Sequence, residues 1–160
     1  MTPQAICRAL DVGRWIGVIA GFGLALRYSP DHADQPHVLA PWLVGSVSGL
    51  TGIESVFLGK AAAQLTGYAP SAYQRQSGMS TLALAATALL AFALGWGSAA
   101  DLAVVAVLLI FLVLSACNHL WSAWRQGNAS LRSFTRPATT AALVAATLPI
   151  AIPVATTLGR

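Results

Sequence analysis

The chain has 160 residues, of which 56% are hydrophobic and only 9% are charged, and its formal net charge is +4 at pH 7. Ordinary soluble domains carry about 25% charged residues, so this chain has too few polar side chains to cover a surface exposed to water. Its basic residues lie at the edges of apolar runs and form no single patch, which is typical of membrane topology and argues against nucleic acid as a partner. The composition therefore predicts an integral membrane protein.

Five stretches of the chain approach the length that a membrane-spanning helix needs, about 20 mostly apolar residues. The breaks between them are a proline-bounded polar turn, a polar segment rich in tyrosine, a short hairpin and a basic loop, in which Pro137 suits the first position of the last helix. The sequence thus predicts an all-α integral membrane helical bundle of five transmembrane helices, built as a single domain. In chain order the predicted spans are residues 10–28, 38–59, 79–96, 102–124 and 138–157.

The first predicted span carries two arginines within apolar sequence. Twelve residues separate Arg14 from Arg27, or about 18 Å of helix, so both side chains are expected to extend outward to opposite interfaces. A four-span protein whose first helix lies in the interface is the alternative to five spans.

The distribution of basic residues favours five spans and predicts their orientation. When the loops alternate between the two sides, seven basic residues fall on the side of the N-terminus and two, Arg27 and Arg160, fall on the other side. Basic residues are retained on the cytoplasmic side of a membrane. We therefore expect a multi-pass protein of the cytoplasmic (inner) membrane, with its N-terminus in the cytoplasm and its C-terminus outside.

Glycines recur at helical spacing on the first two predicted spans. Gly17 and Gly21 lie on the first span, and Gly45, Gly49 and Gly52 lie on the second. Helices in lipid associate through close van der Waals contact, which small residues permit. We expect these five glycines to lie where helices pack against each other.

Few polar side chains lie within the predicted spans, and the exceptions are Glu54, Asn118 and His119. An ionisable group at membrane depth is costly and is a functional hypothesis by default. Glu54 precedes Lys60 by six residues and His119 precedes Arg125 by six, so each lies about 9 Å from the same basic boundary. The matching depth predicts either one polar intramembrane site for acid–base or hydrogen-bonding chemistry or, as we favour, an interhelical hydrogen bond that fixes packing.

His119 is the one histidine on a predicted span. It is a candidate axial ligand for a haem iron or a chlorophyll magnesium, or a hydrogen-bonding group for a quinone, whereas haem held by two histidines is disfavoured. His32 and His37 lie with Asp31 and Asp34 in the first loop. These two histidines are candidate ligands of a weakly bound metal, although a solvated loop is the favoured interpretation. No catalytic residue is predicted.

Three segments carry a family resemblance. Residues 67–76 (GYAPSAYQRQ) lead into the third predicted span, Asn118 and His119 close the fourth, and residues 127–129 (GNA) precede the last. Over about residues 40–157, the chain resembles an uncharacterised family of small prokaryotic polytopic membrane proteins, known as a domain of unknown function. The resemblance implies a helical membrane fold and assigns no activity.

The chain departs from that family's pattern at most of its polar positions. The family places Gly-His at the end of the second span, an acidic residue at the start of the third and Gly-His at the end of the fourth. The matching positions here are Gly59-Lys60, Gln76 and Asn118-His119, so only His119 is retained. If the family residues form a metal or proton site, most of it is lost here, which favours a structural or accessory role.

The short loops and few polar groups predict a non-catalytic accessory or structural subunit of a larger membrane complex, such as a respiratory or photosynthetic assembly. Its expected partners are the lipid bilayer and other membrane subunits. The alternative is a small stand-alone membrane protein, for redox chemistry or transport, that handles a quinone, a proton or a pigment at Glu54 and His119. A cavity beside these two residues would favour the alternative.

Overall fold

The computed structural model describes residues 1–29, 32–66, 71–126 and 131–158. Within these ranges the chain forms helices and no strand, so the predicted all-α class is confirmed. Seven α-helices and one π-helical segment follow each other along the described chain. In order they are α1 (Pro3–Tyr28), α2 (Gln35–Val44), the π segment (Gly45–Gly49), α3 (Leu50–Phe57), α4 (Gly59–Thr66), α5 (Ala72–Ala93), α6 (Ser98–Gln126) and α7 (Leu131–Leu158).

Four of the helices, α1, α5, α6 and α7, are long and apolar enough to cross a membrane, and the bent run from α2 to α4 makes a fifth if it is counted as one span. The protein is therefore a multi-pass membrane protein with four to five spans. Helix α1 is 26 residues long and begins at Pro3, well before the predicted start of the first span. Its length suits a membrane crossing, since about 20 residues suffice.

The second predicted span is the one that the structure interrupts. Helix α2 continues through the π segment into α3, and the chain then bends by 106° between Phe57 and Gly59. Leu58 leaves helical geometry at the bend, with φ −120° and ψ 19°. Gly45 and Gly49 bound the π segment, where weak helix formers and the absence of Cβ atoms tolerate a wider turn. The predicted span over residues 38–59 thus corresponds to the helical run Gln35–Phe57, with a π segment inside it and the bend at its end.

Two later helices begin seven residues before their predicted starts. Helix α5 begins at Ala72 instead of residue 79, and α7 begins at Leu131 instead of residue 138. Hydropathy identifies only the apolar segment along a helix. The polar helical turns that precede each apolar segment were therefore assigned to loops. Pro137 accordingly lies inside α7, and its predicted place at the first helical position is wrong.

Helix α1 packs closely against α2 and the π segment at two glycines. A Cβ atom on Gly17 would lie 2.3 Å from the Cβ of Ser46, and one on Gly21 would lie 2.7 Å from the Cβ of Trp42. Real Cβ atoms do not approach each other so closely, so only glycine fits while α1 stays in place. The two glycines set the distance between these helices.

A second close approach joins α3 to α5. A Cβ on Gly52 would lie 2.5 Å from Leu82 Cγ and 2.8 Å from the carbonyl oxygen of Gly78. Gly45 and Gly49 differ, because their nearest neighbours lie at ordinary contact distances of 4.0 Å and 3.5 Å. Gly45 and Gly49 instead bound the π segment. Of the five glycines predicted to pack helices together, Gly17, Gly21 and Gly52 make the close contacts.

Basic side chains gather at one end of the bundle. The Arg125 guanidinium carbon lies 4.9 Å from the ring centroid of Trp121 and 5.2 Å from that of Trp124. Arginine stacked on tryptophan is typical of a membrane–water interface. We refer to this end, which also carries Lys60 and Arg136, as the basic end.

Replacing Gly17 by alanine should destabilise the protein by about 1–3 kcal/mol, because the new methyl group would overlap Ser46 and force α1 away from its partner. The matched control on the same helix is Gly23→Ala, since a Cβ at Gly23 meets nothing within 4 Å. Alanine there should be neutral or stabilising through its higher helix propensity. Unfolding by SDS in mixed micelles measures both variants, and equal midpoints would contradict the close packing at Gly17.

Candidate functional site

A cavity of about 640 Å³ lies within the bundle. Its walls come from α1, the π segment and helices α3 to α7, so that every described element except α2 contributes side chains. Helix α2 packs instead into the apolar core, where Leu39, Leu43 and Val44 are fully or almost fully buried. The core thus fills one half of the bundle and leaves an opening in the other.

The lining of this cavity changes from apolar to polar along the bundle. Helix α6 contributes Leu108 at one end and His119 at the other, and α7, which runs the opposite way, contributes Leu143 and Arg136 at the same two levels. Hydroxyl and amide side chains add to the polar part. They are Ser48, Thr51, Ser55, Ser71, Gln74, Ser77, Thr81, Ser115, Asn118, Thr135, Thr139 and Thr140. The polar part faces the basic end of the bundle.

A buried ion pair between Arg14 and Glu54 crosses the polar part from α1 to α3. Arg14 also pairs with Asp11, one turn earlier on α1, and donates a hydrogen bond of 3.3 Å to the carbonyl oxygen of Leu50. The side chains of Arg14 and Glu54 are only 14% and 6% exposed. A buried carboxylate is stable when it is paired and hydrogen-bonded, and Arg14 supplies both interactions.

Arg14 was expected to extend outward to an interface, and that expectation is wrong. The guanidinium turns inward because Glu54, the acidic side chain of the predicted second span, lies at the same depth on a neighbouring helix. The equal depth of two opposite charges is a signal present in the sequence. To predict a contact between the two charges, one must also know how each helix is rotated about its own axis, and hydropathy does not provide that orientation.

His119 is buried and contacts Arg136 across the pair α6 and α7. The distance between His119 Nε2 and Arg136 Nη1 is 2.9 Å. A guanidinium only donates, so Nε2 accepts and the neutral imidazole carries its proton on Nδ1. Ligation of a haem iron or a chlorophyll magnesium through Nε2 would therefore require Arg136 to be displaced.

All three predicted intramembrane polar residues, Glu54, Asn118 and His119, line this one cavity. Glu54 and His119 are each held by an arginine from a different helix, Arg14 and Arg136 respectively. The two arginines were absent from the predicted site. The structure thus places the carboxylate and the imidazole on the wall of a shared space.

Two buried atoms on the cavity wall have no hydrogen-bond partner among the described residues: the Nε of Arg14 and the Oγ of Ser48. Ser48 lies in the π segment and is 1% exposed. Leaving such a group unsatisfied costs about 1–3 kcal/mol. Both atoms are closed off from a water-sized probe, so each is a donor left unsatisfied within the wall itself.

The histidines of the predicted loop cluster have separate partners at the opposite end of the bundle. His37 lies on α2, where its Nδ1 is 2.9 Å from a carboxylate oxygen of the buried Asp101 and its ring stacks on Phe92 at 4.7 Å. His32 Nδ1 lies 3.2 Å from the Gln35 side chain. Asp31 lies outside the described residues. In the part of the chain that the structure describes, no three His, Cys, Asp or Glu side chains form a metal-binding group.

Residues 16–158 match a family of unknown function, DUF6790. The chain belongs to DUF6790. No curated protein and no solved structure matches it. The expected membership of an uncharacterised membrane-protein family is therefore confirmed.

The DUF6790 region includes Glu54, His119 and Arg136, whereas Arg14 precedes it by two residues. Of the segments that carried the resemblance, residues 67–70 and 127–129 lie outside the described residues. Since DUF6790 has no assigned activity, a function for this chain has to be argued from its cavity.

Replacing Arg14 alone should destabilise the protein by about 3–5 kcal/mol, because the Glu54 charge stays buried without this partner. Replacing Glu54 alone should cost less, because Arg14 keeps its pair with Asp11. The double variant Arg14→Met/Glu54→Leu should lose less than the sum of the single losses, by about 0.5–3 kcal/mol. The free energies of unfolding of the four proteins give this coupling.

The control for this cycle is Arg27→Met, since the Arg27 guanidinium lies over the exposed ring of Tyr28. This change should shift the free energy of unfolding by no more than about 0.5 kcal/mol. Strictly additive losses for Arg14 and Glu54 would mean that the ion pair does not stabilise the fold.

Proposed function

We propose that this DUF6790 protein is a small stand-alone membrane protein that binds or transports a small amphipathic molecule in the cavity beside Glu54 and His119. The observation that carries the proposal is the change of the lining from apolar to polar within one cavity of about 640 Å³. Ligand pockets usually measure about 300–1,000 Å³ and combine apolar walls with a few placed polar groups. An amphipathic ligand would match both parts at once.

The polar contacts support a site as well as a packing role. Arg14–Glu54 joins α1 to α3, and His119–Arg136 joins α6 to α7. Both contacts connect neighbouring helices along the wall of the cavity. They differ from the interhelical hydrogen bond that we favoured between the spans of Glu54 and His119, because each of these residues pairs with an arginine of another helix.

The accessory-subunit role stays a prediction. Large apolar side chains such as Ile19, Ile110 and Leu114 are more than half exposed on the outside of the bundle. Lipid requires such a surface as much as a protein partner does, so the surface does not favour a complex. Gentle detergent extraction distinguishes the two roles, because a subunit co-migrates with its complex and a stand-alone protein does not.

The amphipathic ligand can be tested with Trp15, the tryptophan that lines the cavity. Ten-carbon chains with a ketone, alcohol or carboxylate head and a bromine near that head would be titrated into the protein in nanodiscs. Bromine quenches tryptophan fluorescence on contact. We expect at least one head group to give saturable quenching, which disappears in Trp15→Phe because the other tryptophans report only partition into lipid.

A second variant separates binding in the cavity from binding on its rim. Ser115→Phe adds bulk to the cavity wall and keeps Trp15 in place. Saturable quenching should be lost while the circular dichroism of the helices is unchanged. Quenching that stays linear with concentration for all three head groups in the unmodified protein would overturn the proposed function.

The orientation that we propose places the basic end in the cytoplasm, following the distribution of basic residues. In a background with Cys7 and Cys117 replaced by alanine, Lys60→Cys should react with an impermeant maleimide only after the cells are opened. Ala33→Cys, at the opposite end, should react in intact cells. The reverse pattern would invert the topology and place the polar part of the cavity at the outer face.

A further inference from the structure

We propose that a cleft at the bend between α3 and α4 binds the head group of an anionic phospholipid, with Lys60 and Arg75 as the cations that pair with its phosphate. This cleft lies beside the cavity of the proposed function and has a ligand of its own. Three features point to this ligand: the position of the cleft, the charge of its lining and the apolar surface next to it.

The cleft has a volume of about 620 Å³ and lies at the basic end of the bundle. Its walls are the first turn of α1, the residues on both sides of the 106° bend and the first turn of α5. Gln4 Nε2 donates to Gln64 Oε1 at 3.1 Å, and Gln74 Nε2 donates to the carbonyl oxygen of Gly59 at 3.1 Å. These bonds join α1 and α5 to α4. Because α1 and α5 begin here and α3 ends here, the cleft lies at the level of lipid head groups.

Two basic side chains, Lys60 and Arg75, line the cleft, and among the described residues no acidic side chain does so. Both are exposed, so a ligand in the cleft can reach them. Within the described ranges neither forms an ion pair. Glu54, the acid nearest to Lys60 in the sequence, is buried and pairs with Arg14 in the neighbouring cavity. The cleft therefore keeps two positive charges for a ligand, and cations of this kind bind phosphate.

The charge of the lining also distinguishes between kinds of phospholipid. A zwitterionic head group carries an ammonium as well as a phosphate, and this ammonium would meet two like charges with no carboxylate in the described lining to pair with it. Phosphatidylglycerol carries one negative charge, and its head group ends in hydroxyls. Side chains such as Ser71 and Gln64 offer hydrogen bonds to these hydroxyls.

The apolar part of the cleft favours a lipid over a soluble phosphate compound. Val56, Phe57 and Leu58 line it, and Phe57 is 73% exposed. A lipid whose phosphate pairs with the two cations would place its glycerol and the start of its acyl chains against this apolar surface, whereas a soluble phosphate would leave the surface uncovered. Basic pockets between membrane-spanning helices bind anionic lipid head groups in this way.

Native mass spectrometry of the protein in detergent measures the lipids that stay bound. Phosphatidylglycerol should bind saturably, and phosphatidylcholine with the same acyl chains should bind at least about tenfold more weakly. The double variant Lys60→Gln/Arg75→Gln should weaken phosphatidylglycerol binding about thirtyfold, because each basic residue beside an anionic lipid contributes about fivefold.

The matched control is Arg8→Gln/Arg125→Gln, which removes two exposed basic side chains from the same end of the bundle but outside the cleft. It should change the affinity by less than about threefold. All the replaced side chains are exposed, so the circular dichroism of both double variants should be unchanged. Equal binding of the two lipids, or equal losses in the two double variants, would overturn the proposed site.

Two further measurements test the cleft apart from its charges and the lipid apart from soluble phosphate. Ala72→Phe adds bulk to the cleft wall and keeps both cations, and it should abolish saturable lipid binding; normal binding would contradict the site. Glycerol 3-phosphate at the concentration of the lipid should not displace it, and displacement would overturn the lipid assignment. Since Lys60 and Arg75 do not line the cavity of the proposed function, Trp15 quenching tests that function independently.

Discussion

The ion pair between Arg14 and Glu54 fixes how the helices surround the cavity. Two opposite charges in an apolar setting stabilise the fold only while they stay in contact, so the pair holds α1 against α3 at one level of the bundle. Above that level, the glycine contacts at Gly17 and Gly21 bring α1 close to the second span. The charge pair and the close packing together set the width of the polar part of the cavity.

The cavity walls formed by α6 and α7 likewise place their few polar side chains at one end of the bundle. Helices α6 and α7 meet at His119 and Arg136, and the apolar halves of both helices pack into the core through Leu108 and Leu143. Each helix thus borders the opening with an apolar part next to the core and with a polar part at the basic end. The polarity of these helices changes along their length as well as between their faces, and the cavity between them therefore has two chemically different ends.

Hydropathy and charge were sufficient to predict the helical class and the membrane-spanning character. They report the depth of a residue in the membrane and not its rotation about the helix axis. Contacts depend on rotation, which is why Arg14 was expected to face outward and Arg136 was assigned to a loop. The bend after Phe57 falls at the predicted end of the second span, whereas helix α4 beyond it was not predicted because it is short and carries Lys60 and Gln64.

The π segment has a consequence for the length of the second span. An α-helix turns by about 100° per residue, so a wider turn changes the direction in which all later side chains point. Ser48 and Glu54 face the cavity partly because five residues, Gly45–Gly49, take up this turn. Five residues of π winding rotate the chain about as far as four α-helical residues, roughly 400°, so deleting one of them and restoring regular winding would leave Glu54 facing Arg14. Regular winding of all five residues, and not the loss of one, is what would turn Glu54 away from Arg14.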